Sequence, residues 1–494
     1  MDPLIVTYLD TSAHDAAHAG ALRQLLEHSF ELLILLSNPL VGDALTSSDE
    51  RLRYRGSLLV AELLEGRCSS LSSSAVHTLL QFFCSRIADQ PSVVPCLIAF
   101  RPLLLKSPDV SEDDIKHTLR ALFNELMVQS LAQSIRQRFY DLALALLRDE
   151  RLATASSGMG EEVTRGMLAA LQGERDPRCL LLCFQILDLL PKRYGQLMEE
   201  STRLALFEAS ACYFPITFEP PVGDPHGVTA GALINGLLSS LTSHPVLLNY
   251  SPSFFLDQLA GDSLAAGKTQ AMDGFIRLAE LHGPAVFRPL LPELAEQLHS
   301  IIVSAPQSDS SGAALKVITE ICRHIKDYDC FLEFGEILLS NVALEIQNGF
   351  DGAQAAAAVM VAGAIAESSF NFSTKIFSRL APIFSNWIAI SVKAVRQSLI
   401  ASSNDFASEH HPDLSVNSFV LLKLLVKSVE PHINYLHSHM DFEVLRPIIN
   451  SFLVLLTELS ADMLTNDIDS SKFLVRDVTL LIKAVECLEE LIKR

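Results

Sequence analysis

Apolar helical stretches in this sequence restart at a nearly fixed interval. A polar turn, usually carrying an aspartate, precedes an apolar run near Asp49, Asp89, Gln133, Asp176, Asp262, Asp309 and Asp351. The spacings are 40, 44, 43, 86, 47 and 42 residues, and the 86 is two periods with one start omitted. Within the runs, apolar residues return at helical spacing. Examples are Leu58, Leu59, Ala61, Leu63 and Leu64; Leu142, Leu144, Leu146 and Leu147; and Leu421, Leu422, Leu424 and Leu425. A period of about 40–47 residues, two or three helices each, is that of HEAT and armadillo repeats. Each such repeat buries one face only against its neighbours, so the chain stacks as a one-dimensional solenoid with a long surface for proteins. The expected fold class is therefore all-α, a HEAT/armadillo-type α-solenoid. Pro91 and Pro177 fit this reading, since both sit just inside helix starts, where a missing N–H costs nothing.

One segment breaks the pattern. Residues 212–228, CYFPITFEPPVGDPHGV, carry Pro215, Pro220, Pro221 and Pro225. Proline fixes φ and removes a backbone donor, so this stretch must be extended or turned. Phe214, Ile216 and Phe218 alternate with Pro215 and Thr217, which suits a strip pinning apolar side chains against neighbouring helices. The solenoid thus carries a proline-rich extended insert near residues 213–228. Loops are expected at Ser69–Ser74, Thr154–Gly160, Gly261–Gly267, Pro306–Gly312 and Ser402–Pro412.

The charge balance bounds the partners. Apolar residues make up 49% of the 494, ample for a core, and the formal net charge is −20. Such a chain repels a phosphate backbone, and no lysine- or arginine-rich stripe offsets this, so direct nucleic-acid binding is not expected. Basic patches on proteins are the better partners. Met1–Asp10 lacks the basic start of a secretory signal. The longest apolar tract, Ala355–Ala366, falls short of the roughly 20 residues a spanning helix needs and reads as a buried helix. A soluble chain is expected, with no membrane partner.

Residues that could carry chemistry have simpler explanations. Nine cysteines, an odd and scattered number, resemble reduced, buried cytosolic thiols rather than a disulfide framework. Cys179 and Cys183 share a helical face, but their neighbours are leucines and Phe184, and no second ligand pair stands at metal spacing. Cys322 and Cys330 flank His324, yet Cys322 needs its helical face for packing. His410, His411, His432, His437 and His439 read as solvated surface residues. His226 beside Asp224 and Pro225 reads as part of a turn capped by aspartate. Gly261–Thr269 ends in Gly-Lys-Thr like a phosphate loop, but lacks the glycine four residues earlier and follows a helix. No catalytic site, metal or cofactor is expected, and the protein reads as a non-enzyme.

The wording of the proline segment resembles one family. Leu206-Phe207-Glu208 leads into Cys212, Tyr213, Phe214, Pro215 and Ile216, then Phe218, Pro220 and Pro221, and on to Asp224, Pro225, His226 and Gly227. This string resembles the N-terminal half of the methyl-methanesulfonate-sensitivity nucleotide excision repair protein homologs, differing at Val222-Gly223, where an Asn-Asp is usual. Gly173–Leu190, GERDPRCLLLCFQILDLL, is similar to that family's G-E-K-D-P-R helix start, and Gln129-Ser130-Leu131 also matches. The resemblance implies a HEAT-repeat scaffold of the cytosolic iron–sulfur assembly targeting complex, cytoplasmic and nuclear, holding no cluster of its own. It implies protein partners: a WD-propeller protein, a small assembly subunit, and apo iron–sulfur clients such as helicases and polymerases of DNA repair and replication. It also implies a chain about twice this length, with assembly contacts in the C-terminal half. The expected organisation is 1–44 as N-terminal helices, 45–305 as the family's N-terminal HEAT region and 306–494 as further HEAT-like repeats. A HEAT-type nuclear transport receptor or a phosphatase regulatory subunit is the rival reading, separated from the first by the proline segment alone.

Overall fold

The computed structural model describes residues 1–368 apart from 28–31, 108–109, 221–222, 224–226, 261–262, 307 and 348–351, together with Leu453. Among these residues every regular element is a helix. The chain divides into two compact units, Met1–Tyr250 and Ser251–Arg494.

In the first unit, α1 (Asp2–Leu9), α2 (Asp15–Glu27), α3 (Leu32–Leu36) and α4 (Pro39–Thr46) precede the repeats. Then come α5 (Glu50–Arg67) with α6 (Ser73–Arg86), and α7 (Val93–Leu105) with α8 (Glu112–Asn124). Next are α9 (Gln133–Arg148) with α10 (Glu150–Ala155) and α11 (Gly160–Leu171), then α12 (Pro177–Tyr194) with α13 (Glu200–Ala211), and α14 (Ala230–Thr242). Helices α5, α7, α9, α12 and α14 pack each on the next in one layer, while α6, α8, α11 and α13 form the second. That is a HEAT-type α-solenoid. The second unit repeats the plan: α15 (Ser251–Ala260), α17 (Leu291–Ser304) and α19 (Tyr328–Gln347) line one layer, α16 (Ala265–His282), α18 (Asp309–His324) and α20 (Gly352–Ser368) the other.

The same local chemistry starts three of the five layer helices, α5, α12 and α14. Asp49 accepts the Arg51 amide at 2.9 Å, Asp176 the Arg178 amide at 3.0 Å, and Thr229 the Ala232 amide at 3.1 Å. Each removes one of the unpaired donors of a helix N-terminus. Thr229 supplies the start absent from the 86-residue interval, directly after the proline segment. Ion pairs then tie residues about one repeat apart: Arg53 to Asp89 at 2.9 Å, Arg136 to Glu174 at 2.7 Å and Arg288 to Glu333 at 2.8 Å. The apolar stripes fill the space between layers, with Leu59, Leu63, Phe100, Phe184 and Phe275 all fully buried.

Two expected loops are shorter than the sequence suggested. Helix α16 begins at Ala265 and α18 at Asp309, since the serines and small residues there serve as caps and first turns. Ser308 accepts the Ser311 amide at 3.1 Å, so the polar run is a helix start rather than an insert. Ala355–Ala366 lies inside α20 with Ala358, Val361 and Ile365 buried, as expected. Ser402–Pro412, Leu421–Leu425, His410, His411, His432, His437, His439 and Cys487 lie outside the described residues.

Candidate functional site

The segments that carried the family resemblance meet at one buried carboxylate. Gly173, at φ +85°, takes the left-handed turn between α11 and α12 that a side chain would strain. The next residue, Glu174, has a side chain wholly removed from solvent. Its oxygens accept Arg136 Nε at 2.7 Å and Nη2 at 2.9 Å, a bidentate pair from α9. They also accept the Tyr140 hydroxyl at 3.1 Å and the amides of Arg175 and Asp176 at 2.9 and 3.0 Å. Gln129 Nε2 donates to the Tyr140 oxygen at 2.9 Å and to the Ala170 carbonyl at 2.7 Å. Asp176, besides capping α12, accepts Arg178 Nη2 at 2.9 Å. Pro177 follows at the first helical position.

The proline segment is fastened to this centre through Tyr213. Its hydroxyl donates to the Glu174 carbonyl at 2.9 Å, and its ring meets Phe184 edge to face at 5.7 Å. Burial alone would raise the Glu174 carboxyl. Arg136, the two amides and Tyr140 outweigh it and hold the group below its ordinary range. The same enclosure pushes the Tyr140 hydroxyl and the Cys183 thiol well up, and Cys179 to about 11. Thiols held protonated in this way are poor nucleophiles and poor metal ligands.

The remaining segment residues depart from expectation. Cys212 is exposed at the end of α13, whereas the other seven described cysteines are buried. Tyr213, Phe214, Pro215, Ile216 and Phe218 are half-buried, and Pro220 is exposed. Each of these side chains is thus partly open to solvent. Gly227 is exposed at φ +65°, and Val228 is buried. Pro221, Asp224, Pro225 and His226 lie outside the described residues. Replacing Phe214 or Phe218 with alanine is therefore expected to cost about 1–2 kcal/mol, roughly half the loss for a fully buried ring. Urea unfolding checks this; a loss above about 3 kcal/mol for either would place that ring in the core.

Cys322 and Cys330 are both buried in the packing of α18 and α19. Among the described residues no three histidine, cysteine or acidic side chains gather around a common point. Gly267, Lys268 and Thr269 lie within the first turns of α16, and Thr269 Oγ1 donates to the Ala265 carbonyl at 3.1 Å, so they form helix rather than a phosphate loop. Sequence reading singled out Glu174 only as one letter of a motif and missed Arg136 and Tyr140. The usable signal was their spacing: two polar residues at i and i+4 on the apolar helix α9, one repeat before an acid at a glycine turn.

Helix pairs layered one repeat on the next define a HEAT-type α-solenoid. The family model described as "Dos2-interacting transcription regulator of RNA-Pol-II" (MMS19_N) matches residues 40–304. The chain belongs to the MMS19 family and carries its N-terminal region. The mouse "MMS19 nucleotide excision repair protein homolog" is 30% identical over 316 residues, 58% of this chain and 30% of that protein. The protein of the same description from Dictyostelium discoideum is 26% identical over 353 residues, 70% of this chain and 31% of its own length. The human one is 30% identical over 258 residues, 51% and 24%. The matched region thus spans less than a third of each of these relatives. A solved structure of importin β aligns with 99% of this chain and 62% of its own at TM-score 0.44 and 12% identity. Among the described residues no helix is long and apolar enough to cross a membrane.

Proposed function

We propose that this protein is a non-enzymatic scaffold of the cytosolic iron–sulfur assembly targeting complex, holding apoproteins of DNA repair and replication for cluster delivery. The observation that carries the reading is the family match over residues 40–304, which takes in the whole proline segment and its tie to Glu174. Cys212, Tyr213, Phe214, Pro215, Phe218, Pro220, Pro221, Asp224, Pro225, His226 and Gly227 act in this reading as a structural signature, not as a binding or catalytic site. A solenoid offers separate stretches of surface to separate partners, because each repeat touches only its neighbours. Client binding is assigned to these repeats through their acidic surface. Docking to the WD-propeller and small assembly subunits is assigned to regions of the family beyond the N-terminal one. Work in cytoplasm and nucleus follows from those clients.

Affinity purification of the tagged 494-residue chain from its source cells tests this. Recovery of an iron–sulfur helicase or polymerase, weakened at high salt as exposed charges are screened beyond about 8–10 Å, is the expected result. Recovery of no such client at low salt would refute the function. Recovery of the propeller subunit in near-equal amount would refute the assignment of its docking site.

A further inference from the structure

A second feature borders Tyr213 and Gly173. Helices α11 and α13 stand apart enough to leave a cleft of about 580 Å³, floored by Leu187 of α12 and ended by Tyr213. Its walls are Leu168 and Ala169 on one side and Ala205 and Ala209 on the other. The volume lies within the range of preformed ligand pockets, about 300–1,000 Å³. It suits a few side chains from one helical face rather than a domain. Leu204, 41% exposed, stands one turn before Glu208 on α13.

The charges around the cleft are unequal. Arg165 is held by Glu161 at 2.7 Å and Glu199 at 2.9 Å. Arg203 is paired with Glu200 at 3.4 Å, and Arg120 with Glu162 at 3.2 Å. Glu208, exposed in the cleft lining, has no ion-pair partner among the described residues. Of the two charged residues that line the cleft, Arg165 is thus committed and Glu208 is not. A chain with net charge −20 adds a long-range field of the same sign.

The geometry points to a docking groove for a cationic amphipathic helix of a partner protein, its leucine-like face in the trough and a lysine or arginine on Glu208. The mode is helix-in-groove recognition, with apolar anchors at i, i+3 or i+4, and i+7. This inference stands apart from the iron–sulfur reading, since it rests on the groove and its charge alone.

Cys212 makes it testable, because the exposed thiol lies in the cleft lining and reports occupancy directly. The probe is a fluorescein-labelled peptide of about sixteen residues with leucines on one helical face and lysines flanking them. The full-length protein is titrated by anisotropy, and iodoacetamide labelling of Cys212 is followed by peptide-mapping mass spectrometry. Saturating peptide is expected to slow Cys212 alkylation at least about fivefold, and Glu208→Lys to weaken binding about tenfold, the size of a lost charge-assisted contact in a partly dry groove. Glu125→Lys makes the same charge change just after α8, outside the cleft lining, and should alter affinity less than about twofold. Ala209→Trp should fill the trough and abolish binding, with far-UV circular dichroism verifying that both groove variants remain folded. Equal binding by Glu208→Lys, unchanged Cys212 labelling, or equal affinity for a peptide with glutamates replacing the lysines would overturn the inference. So would no binding, or Cys212 labelling that slows with protein concentration alone, which would assign the groove to a second copy.

Discussion

Glu174→Ala is expected to destabilise the protein by about 3–5 kcal/mol, the cost of leaving a buried charge without its partner. The substitution strands Arg136, whose side chain is only 17% exposed, removes one of the two acceptors of the Tyr140 hydroxyl, and removes the acceptor of two backbone amides. The effect depends on pH with a definite sign. Glu174 is held below its ordinary range in the folded protein, so it contributes stability above the unfolded carboxyl value of about 4.3. That contribution is lost as pH falls through the lower folded value. Urea denaturation from pH 7 down to the acid limb should therefore show the wild-type advantage shrinking below about pH 4.3, while Glu174→Ala stays flatter there. A loss below about 1 kcal/mol at pH 7 would mean that Arg136 finds water, and that the centre is not closed.

This centre also shows what could be read in the sequence and what could not. The repeat period was legible because helix starts need caps, and caps are local: Asp49, Asp176 and Ser308 act within three residues of themselves. The apolar stripes were legible for the same reason, since Leu142, Leu144, Leu146 and Leu147 share one helix. The Arg136–Glu174 pair spans 38 residues and two helices, and no local pattern states that such residues meet. How deeply the strip is buried is not written in its alternation: Phe214 and Phe218 are each half-buried, which depends on the helices they meet and not on their neighbours in sequence. Cys212 escaped notice because nothing in the residues around it says that α13 ends at an open cleft. Exposure is a property of the stack, and the stack is assembled from contacts one repeat apart.

The second large effect belongs to the other unit. Phe275→Ala is expected to cost about 3–5 kcal/mol, because the ring is fully buried and the cavity left behind cannot collapse between two helical layers. Phe275 sits between Phe255 at 6.0 Å and Phe287 at 5.6 Å, both edge to face, so two aromatic contacts are lost with the ring. On the α16 turn at Gly274, an added Cβ would come within 2.6 Å of Phe255, so the backbone already lies against that ring and has no room to move inward. The damage should be local. In a stacked repeat, each helix pair draws stability from its own packing and from its immediate neighbours, and openings follow those units. Hydrogen exchange on the variant should therefore lose protection first in α15, α16 and α17, while amides of α5, α7 and α9 exchange as in the wild type. Uniform loss of protection from α5 to α18 would show that the chain opens as a single cooperative body, and the nearest-neighbour account of its stability would have to be abandoned.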